Sequence, residues 1–147
     1  MISQRVAEDG RTSYKVKCSF IQIYQEGVYD LLADSVPGYV RDGNGKSSTA
    51  AAAATGLRVR WNAAQDFYVE NLYTFDCPSA KVARNYFLNG MKKRLVASHK
   101  MNASSSRSHC IFTLEVTKRA TGPGTGPGGP GEVEVKSKLA LVDLAGR

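Results

Sequence analysis

Two short stretches hold the residue types that could do chemistry. Asn102-Ala103-Ser104-Ser105-Ser106-Arg107-Ser108-His109 masses hydroxyls beside an arginine. Leu139-Ala140-Leu141-Val142-Asp143-Leu144-Ala145-Gly146 ends an apolar run on an aspartate and then a glycine. Hydrolysing a nucleoside triphosphate asks a protein for positioning and charge stabilisation, with little covalent work. An extended loop can turn alternate hydroxyls of the serine run inward, toward phosphate or metal. Asp143 can hold a water on Mg²⁺, an ion that favours hard oxygen ligands. Gly146 leaves its amide free to approach a phosphate and tolerates the torsion change a switch needs. Alone, each stretch is ambiguous: bare serines usually form a polar linker, and many phosphate-loop proteins carry D-x-x-G after an apolar strand. Their combination at this spacing is far more specific.

The surrounding pattern supplies elements to position them. Tyr14–Tyr24 alternates and then turns apolar on both faces, as a strand does on entering the centre of a sheet. Gln25–Leu32 reads as a short helical turn, with Val28, Leu31 and Leu32 at helical spacing. Residues 33–56 are loop in composition, with Asp42-Gly-Asn-Gly45 as a turn cluster and five alanines after Thr49. Leu57–Trp61 and Phe67–Glu70 predict two short strands. Ser79 is placed to cap a helix whose buried stripe is Val82, Ala83, Tyr86, Phe87 and Met91. Gly90 weakens that helix, and Lys92-Lys93-Arg94 near its end suits its dipole. His109–Thr117 alternates as a strand, with Phe112, Leu114 and Val116 on one face. Gly122–Gly131, built of glycine, proline and threonine, is a connector. Glu132–Val142 is then the antiparallel partner of the preceding strand, delivering Asp143 at its C-terminal end, where α/β sheets bind ligands.

In order and content, N-x-x-S-S-R-S-H and L-V-D-L-A-G resemble switch I and switch II of the kinesin motor domain. Ser19, Phe20, Ile23, Tyr24, Glu26, Val28, Asp30, Leu31 and Leu32 match a further kinesin segment, from which Gln22 and Gln25 depart. Gly90, Arg94, Val96, Ala97, Met101 and Asn102 match the approach to switch I. The resemblance covers most of residues 13–147. It implies an α/β fold of the P-loop NTPase-like kinesin motor type, a central mixed β-sheet flanked by helices. Residues 1–147 would form one partial motor domain, with 33–56 and 120–131 as low-complexity insertions.

The resemblance also assigns roles. Ser106 would ligate Mg²⁺, and Asp143 would hold the same ion through water. Ser105 would contact the γ-phosphate or the attacking water, Asn102 would bond near the phosphates, and Gly146 would meet the γ-phosphate. Arg107 would pair with a glutamate two positions beyond Gly146, past the last residue. His109 reads as a packing and hydrogen-bonding residue rather than a base. Kinesins form a β-lobe beside their track in the stretch equivalent to residues 57–70, so Arg58 and Arg60 are candidates for microtubule contact. The implied cofactors are ATP and Mg²⁺, the implied partner is the microtubule (tubulin), and the implied place is the cytoplasmic cytoskeleton. The implied activity is a microtubule-stimulated ATPase coupled to movement. A degenerate, non-hydrolysing module that binds microtubules or another partner is the alternative.

Composition narrows the field further. The net charge of +7 is uneven: residues 81–119 carry nine cations against Glu115 alone, +8, which leaves −1 for the rest. Such a block suits an anionic partner. A nucleic-acid reading fails on placement, because Tyr86 and Phe87 fall on the buried helix stripe. No run of about 18 apolar residues predicts a membrane span, and the N-terminal residues do not read as a signal peptide. Cys18, Cys77 and Cys110 lack C-x-x-C spacing, so structural zinc is not expected and a reducing compartment is. No G-x-x-x-x-G-K-[ST] occurs. Gly45-Lys46-Ser47 follows the wrong segment and has Asp42 where the first loop glycine belongs. The expectation is therefore a piece of a motor that by itself neither binds ATP tightly nor steps.

Overall fold

A computed structural model describes residues 12–33, 57–63, 66–100, 107–121 and 132–146. Three long strands in a row form the heart of the main sheet: β1 (Thr12–Tyr24), β6 (His109–Thr121) and β7 (Glu132–Asp143). The hairpin partner β2 (Gly27–Asp30) flanks β1, giving the order β2-β1-β6-β7, and the two-residue β5 (Phe75–Asp76) also pairs with β1. A separate two-stranded sheet is made by β3 (Val59–Asn62) and β4 (Asp66–Val69). One long helix, α1 (Ala80–Lys100), packs on the main sheet. Every ladder among the described residues is antiparallel.

The predicted strands and helix are present, with three differences. Gln25–Leu32 forms no helical turn. Gln25 and Glu26 take φ of 47° and 64°, so the chain reverses in two residues and Gly27–Asp30 returns along β1. Positive φ at both central positions matches the twist of a two-residue hairpin, and that geometry overrides the helical spacing of Val28, Leu31 and Leu32. The helix runs past Lys92-Lys93-Arg94 to Lys100. Finally, β6 includes Ala120 and Thr121, paired with Val133 and Glu132, so two residues assigned to the connector belong to the ladder. The rest of that connector and all of the 33–56 insertion except Ala33 lie outside the described residues.

Register explains the core. Phe20 lies opposite Phe112, Cys18 opposite Leu114 and Val16 opposite Val116, so even-numbered residues of β1 and β6 share the face toward α1. Val16, Cys18, Phe20, Cys110 and Phe112 are buried there with Cys77, Ala83, Leu31 and Leu32. Phe20 stacks on Phe87 at 5.6 Å, and Phe112 meets both rings edge-on at 5.3 and 5.4 Å. The helix starts as expected: Ser79 Oγ accepts the Val82 amide at 3.3 Å.

Asp30 fastens the turn after β2. Its carboxylate accepts the Leu32 amide at 2.7 Å and the Tyr73 amide at 3.2 Å, tying β2 to the segment before β5. Burial raises the Asp30 carboxyl above its ordinary 3.8, although both amides and nearby Lys93 pull it down. A carboxyl raised by folding contributes most when protonated, and that contribution is lost as pH rises through its folded value. Asp30→Asn removes the loss. In urea titrations of the full chain, the stability difference is expected to move in the variant's favour as pH climbs above 3.8. A flat difference would contradict the assignment.

Candidate functional site: the junction of β6 and β7

The two chemical stretches of the sequence meet at one end of the sheet. Cys110, near the start of β6, pairs with Asp143, the last residue of β7. One residue earlier, His109 Nδ1 accepts the Ala145 amide at 3.0 Å. An accepting Nδ1 requires the ring proton to sit on Nε2. His109 therefore acts as a hydrogen-bonding clasp, as its sequence context suggested, and it holds Asp143-Leu-Ala-Gly146 against Arg107-Ser108-His109.

Asp143 has a partner that the sequence did not announce. Its Oδ2 accepts from Arg94 Nη1 of α1. The Arg94 side chain is 9% exposed and that of Asp143 63%, so a buried cation reaches out to an accessible anion. Helical spacing accounts for this. Ala83, Phe87, Gly90 and Arg94 follow one another at intervals of four, three and four, which places Arg94 on the stripe that faces the sheet. Asp143 belongs to the matching sheet face, alongside Cys110 and Gln22. Read as part of a basic triplet, Arg94 looked like a dipole-complementing surface residue. Continuing the 83-87-90 stripe by four would have found it.

The other predicted residues sort as follows. Arg107 is exposed beside the junction, and Ser108 is fully buried. Among the described residues the Ser108 hydroxyl has no hydrogen-bond partner. Gly146 is exposed, and a Cβ built on it would meet nothing within 4 Å. Asn102, Ser105 and Ser106 lie outside the described residues. Arg58 and Arg60 are exposed on the β3–β4 hairpin, 2.8 Å separating the Arg58 carbonyl from the Glu70 amide. Arg60 is paired with Glu70 at 3.2 Å. On the same hairpin Trp61 faces Phe67, at 61% and 76% exposure.

Asp143 is the accessible carboxylate of the junction. Among the described residues no three His, Cys, Asp or Glu side chains gather as a metal cage. Mg²⁺ seldom needs one: it keeps several waters and takes one or two protein oxygens plus phosphates. The Asp143 carboxylate, 63% exposed, could be one such oxygen, whereas Ser105 and Ser106 lie outside the described residues. A groove of about 650 Å³ lies elsewhere, toward the opposite end of the sheet between β1, β6 and β7, and includes none of Arg107, Asp143 or Gly146.

A family model described as the kinesin motor domain matches residues 1–147. The chain belongs to the kinesin motor-domain family. It is 34% identical over 131 residues to Kinesin-like protein KIF12 of Mus musculus, covering 89% of this chain and 18% of that protein. It is 37% identical over 135 residues to Kinesin-like protein 3 of Schizosaccharomyces pombe, covering 92% and 20%. Among solved structures, a fast kinesin superposes with a TM-score of 0.65 at 29% identity, covering 92% of this chain and 31% of that one. A kinesin 6 gives 0.66 at 27%, covering 92% and 34%. The kinesin chain thus spans about a fifth of these two relatives. The partial motor fold expected from the sequence is the fold these structures share.

Proposed function

We propose that the β6–β7 junction is the nucleotide-sensing centre of an ATP-driven microtubule motor. The observation that carries this reading is the pairing of Cys110 with Asp143 together with the His109–Ala145 bond. Those contacts support the reading because they bring Arg107-Ser108-His109 alongside Asp143-Leu-Ala-Gly146. Ser105 and Ser106 supply hydroxyls, Ser106 and Asp143 hold Mg²⁺ (Asp143 through water), and Asn102 bonds near the phosphates. The metal supplies charge neutralisation on the phosphate oxygens. Arg94 orients Asp143, His109 anchors the strand that follows it, and Gly146 offers its amide to the terminal phosphate. Arg107 stands exposed, available to lock the two segments when phosphate is present. Loss of that phosphate would release them, as switch loops do.

The partner in this reading is the microtubule, with Arg58 and Arg60 on the β3–β4 hairpin as contacts, and the place is the cytoskeleton in the cytoplasm. Nucleic acid is disfavoured because Phe87 is stacked in the core and Tyr86 packs on Phe75 at 4.9 Å, leaving neither as a platform for bases. No helix among the described residues is long and apolar enough to cross a membrane. Residues 1–147 act as one part of a motor domain, with 33–56 and 122–131 as insertions.

The test is ATP turnover by the full-length protein with and without microtubules, alongside co-sedimentation in ATP and in a non-hydrolysable analogue. Microtubule-stimulated turnover and nucleotide-dependent release are the expected results. Sedimentation that ignores nucleotide, with no turnover, would replace this reading by the non-hydrolysing microtubule-binding module.

A further inference from the structure

We infer that Cys18 and Cys77 form an oxidisable dithiol site that closes to an intramolecular disulfide when peroxide is supplied. The Cys77 amide donates to the Val16 carbonyl at 2.8 Å, so Cys77 lies across from Val16 on the edge of β1. Cys18 is two residues further along the same face, and its thiol hydrogen-bonds to the Cys77 sulfur. Generic diagonal neighbours across an antiparallel pair stand about 7–8 Å apart, beyond the roughly 4.4–6.8 Å that a disulfide spans between Cα atoms, so closure requires the backbone at Cys77 to move toward β1. Two features shorten the gap. The two thiols are joined by a hydrogen bond, and Cys77 follows the two-residue β5, a segment short enough to shift toward β1.

The same contact decides which sulfur reacts first. Burial pushes both thiols up, and Cys18 is pushed further. Donation from Cys18 offsets part of that rise at Cys77, so Cys77 is the readier thiolate. It also lines the groove of about 650 Å³, where Lys15, Lys136 and Lys138 are paired with Asp76, Glu134 and Glu115. That groove gives a small oxidant a route to an otherwise buried sulfur.

The steps balance. Cys77 thiolate attacks one oxygen of hydrogen peroxide, the O–O bond breaks, and the departing hydroxide takes up a proton to become water, leaving Cys77 sulfenic acid. Cys18, giving up its proton, attacks the sulfenyl sulfur and expels a second hydroxide, which that proton converts to water. The protein loses two electrons and two protons, and the peroxide becomes two waters. Cys110 is the built-in control. It pairs with Gln22, four residues along β1 from Cys18, a separation of about 13 Å along the strand. That exceeds the reach of a disulfide. The crosslink would fasten β1 to the start of α1, the helix whose other end leads into the Asn102–Ser106 segment.

The experiment is intact-mass and non-reducing peptide mapping of the full-length protein after graded hydrogen peroxide treatment. The expected result is a Cys18–Cys77 linked peptide, Cys110 recovered as a free thiol, and a raised thermal midpoint that dithiothreitol reverses. Cys110→Ala should form the same link, and Cys18→Ala should leave Cys77 as a sulfenic acid trapped by dimedone. Retention of both thiols at peroxide levels that oxidise the methionines would overturn the inference. So would a link that uses Cys110 or a second copy of the chain.

Discussion

Asp143→Asn in the full-length protein is expected to lower microtubule-stimulated ATP turnover by about 10²–10³-fold, the scale seen when one preorganised electrostatic contact to developing charge is lost. Two consequences of the substitution must be separated. It removes the negative charge proposed to hold a metal-bound water, and it takes a carboxylate from Arg94, whose side chain is 9% exposed. Leaving a buried arginine without its carboxylate destabilises as well as disarms. Gly146→Ala separates them. A Cβ there meets nothing within 4 Å, so the folded chain accommodates alanine and the thermal midpoint should stay in place. Turnover should still fall, because the methyl group stands where the γ-phosphate is proposed to approach the amide. Unchanged turnover in Gly146→Ala would remove Gly146 from the site. Arg94→Lys should fall between, keeping the charge but losing the planar fork that fixes a carboxylate.

How far the site was legible depended on the kind of signal. The two chemical stretches could be read directly, since hydroxyls, aspartate and glycine at that spacing have few other uses together. Their juxtaposition followed from reading β6 and β7 as antiparallel neighbours, and the Cys110–Asp143 register bears that out. The clasp by His109 was foreseen as a hydrogen-bonding role, without its partner. Arg94 was missed because a basic triplet at a helix end carries a sufficient local explanation, whereas its tertiary role shows only when the stripe is continued. The Gln25-Glu26 turn was missed for the opposite reason. Neither residue is a typical positive-φ former, so the hairpin is imposed by pairing of β2 with β1 and not by local preference. The Cys18–Cys77 hydrogen bond joins residues far apart in sequence, because the two-residue β5 pairs with β1 just before Cys77, which no periodicity could reveal.

The largest effect on stability is expected at Phe20. Its side chain is 1% exposed, stacks on Phe87 and meets Phe112 edge-on, so Phe20→Ala should cost about 3–5 kcal/mol in chemical denaturation. Gly90 is the other half of that contact. Sequence alone marks glycine there as a weakness in the helix, worth about 1 kcal/mol against alanine. The structure reverses the sign: a Cβ on Gly90 would run into Phe20 Cδ1 and lie 2.7 Å from its Cε1. Overpacking of a tight core costs about 1–3 kcal/mol, so the clash outweighs the gain in helix propensity and Gly90→Ala should destabilise. A double-mutant cycle decides the matter. Phe20→Leu replaces the ring by a smaller side chain, so Gly90→Ala should cost less in the Phe20→Leu background than in the native one. The coupling should lie between about 0.5 and 3 kcal/mol. Additive losses would mean that the helix reaches the sheet by some route other than the Gly90–Phe20 contact. Because Arg94 is one turn beyond Gly90 on the same stripe, that contact also sets the distance from α1 to Asp143. A helix pushed outward by alanine should then lower ATP turnover in the full-length protein along with its stability, and Phe20→Leu should restore part of both.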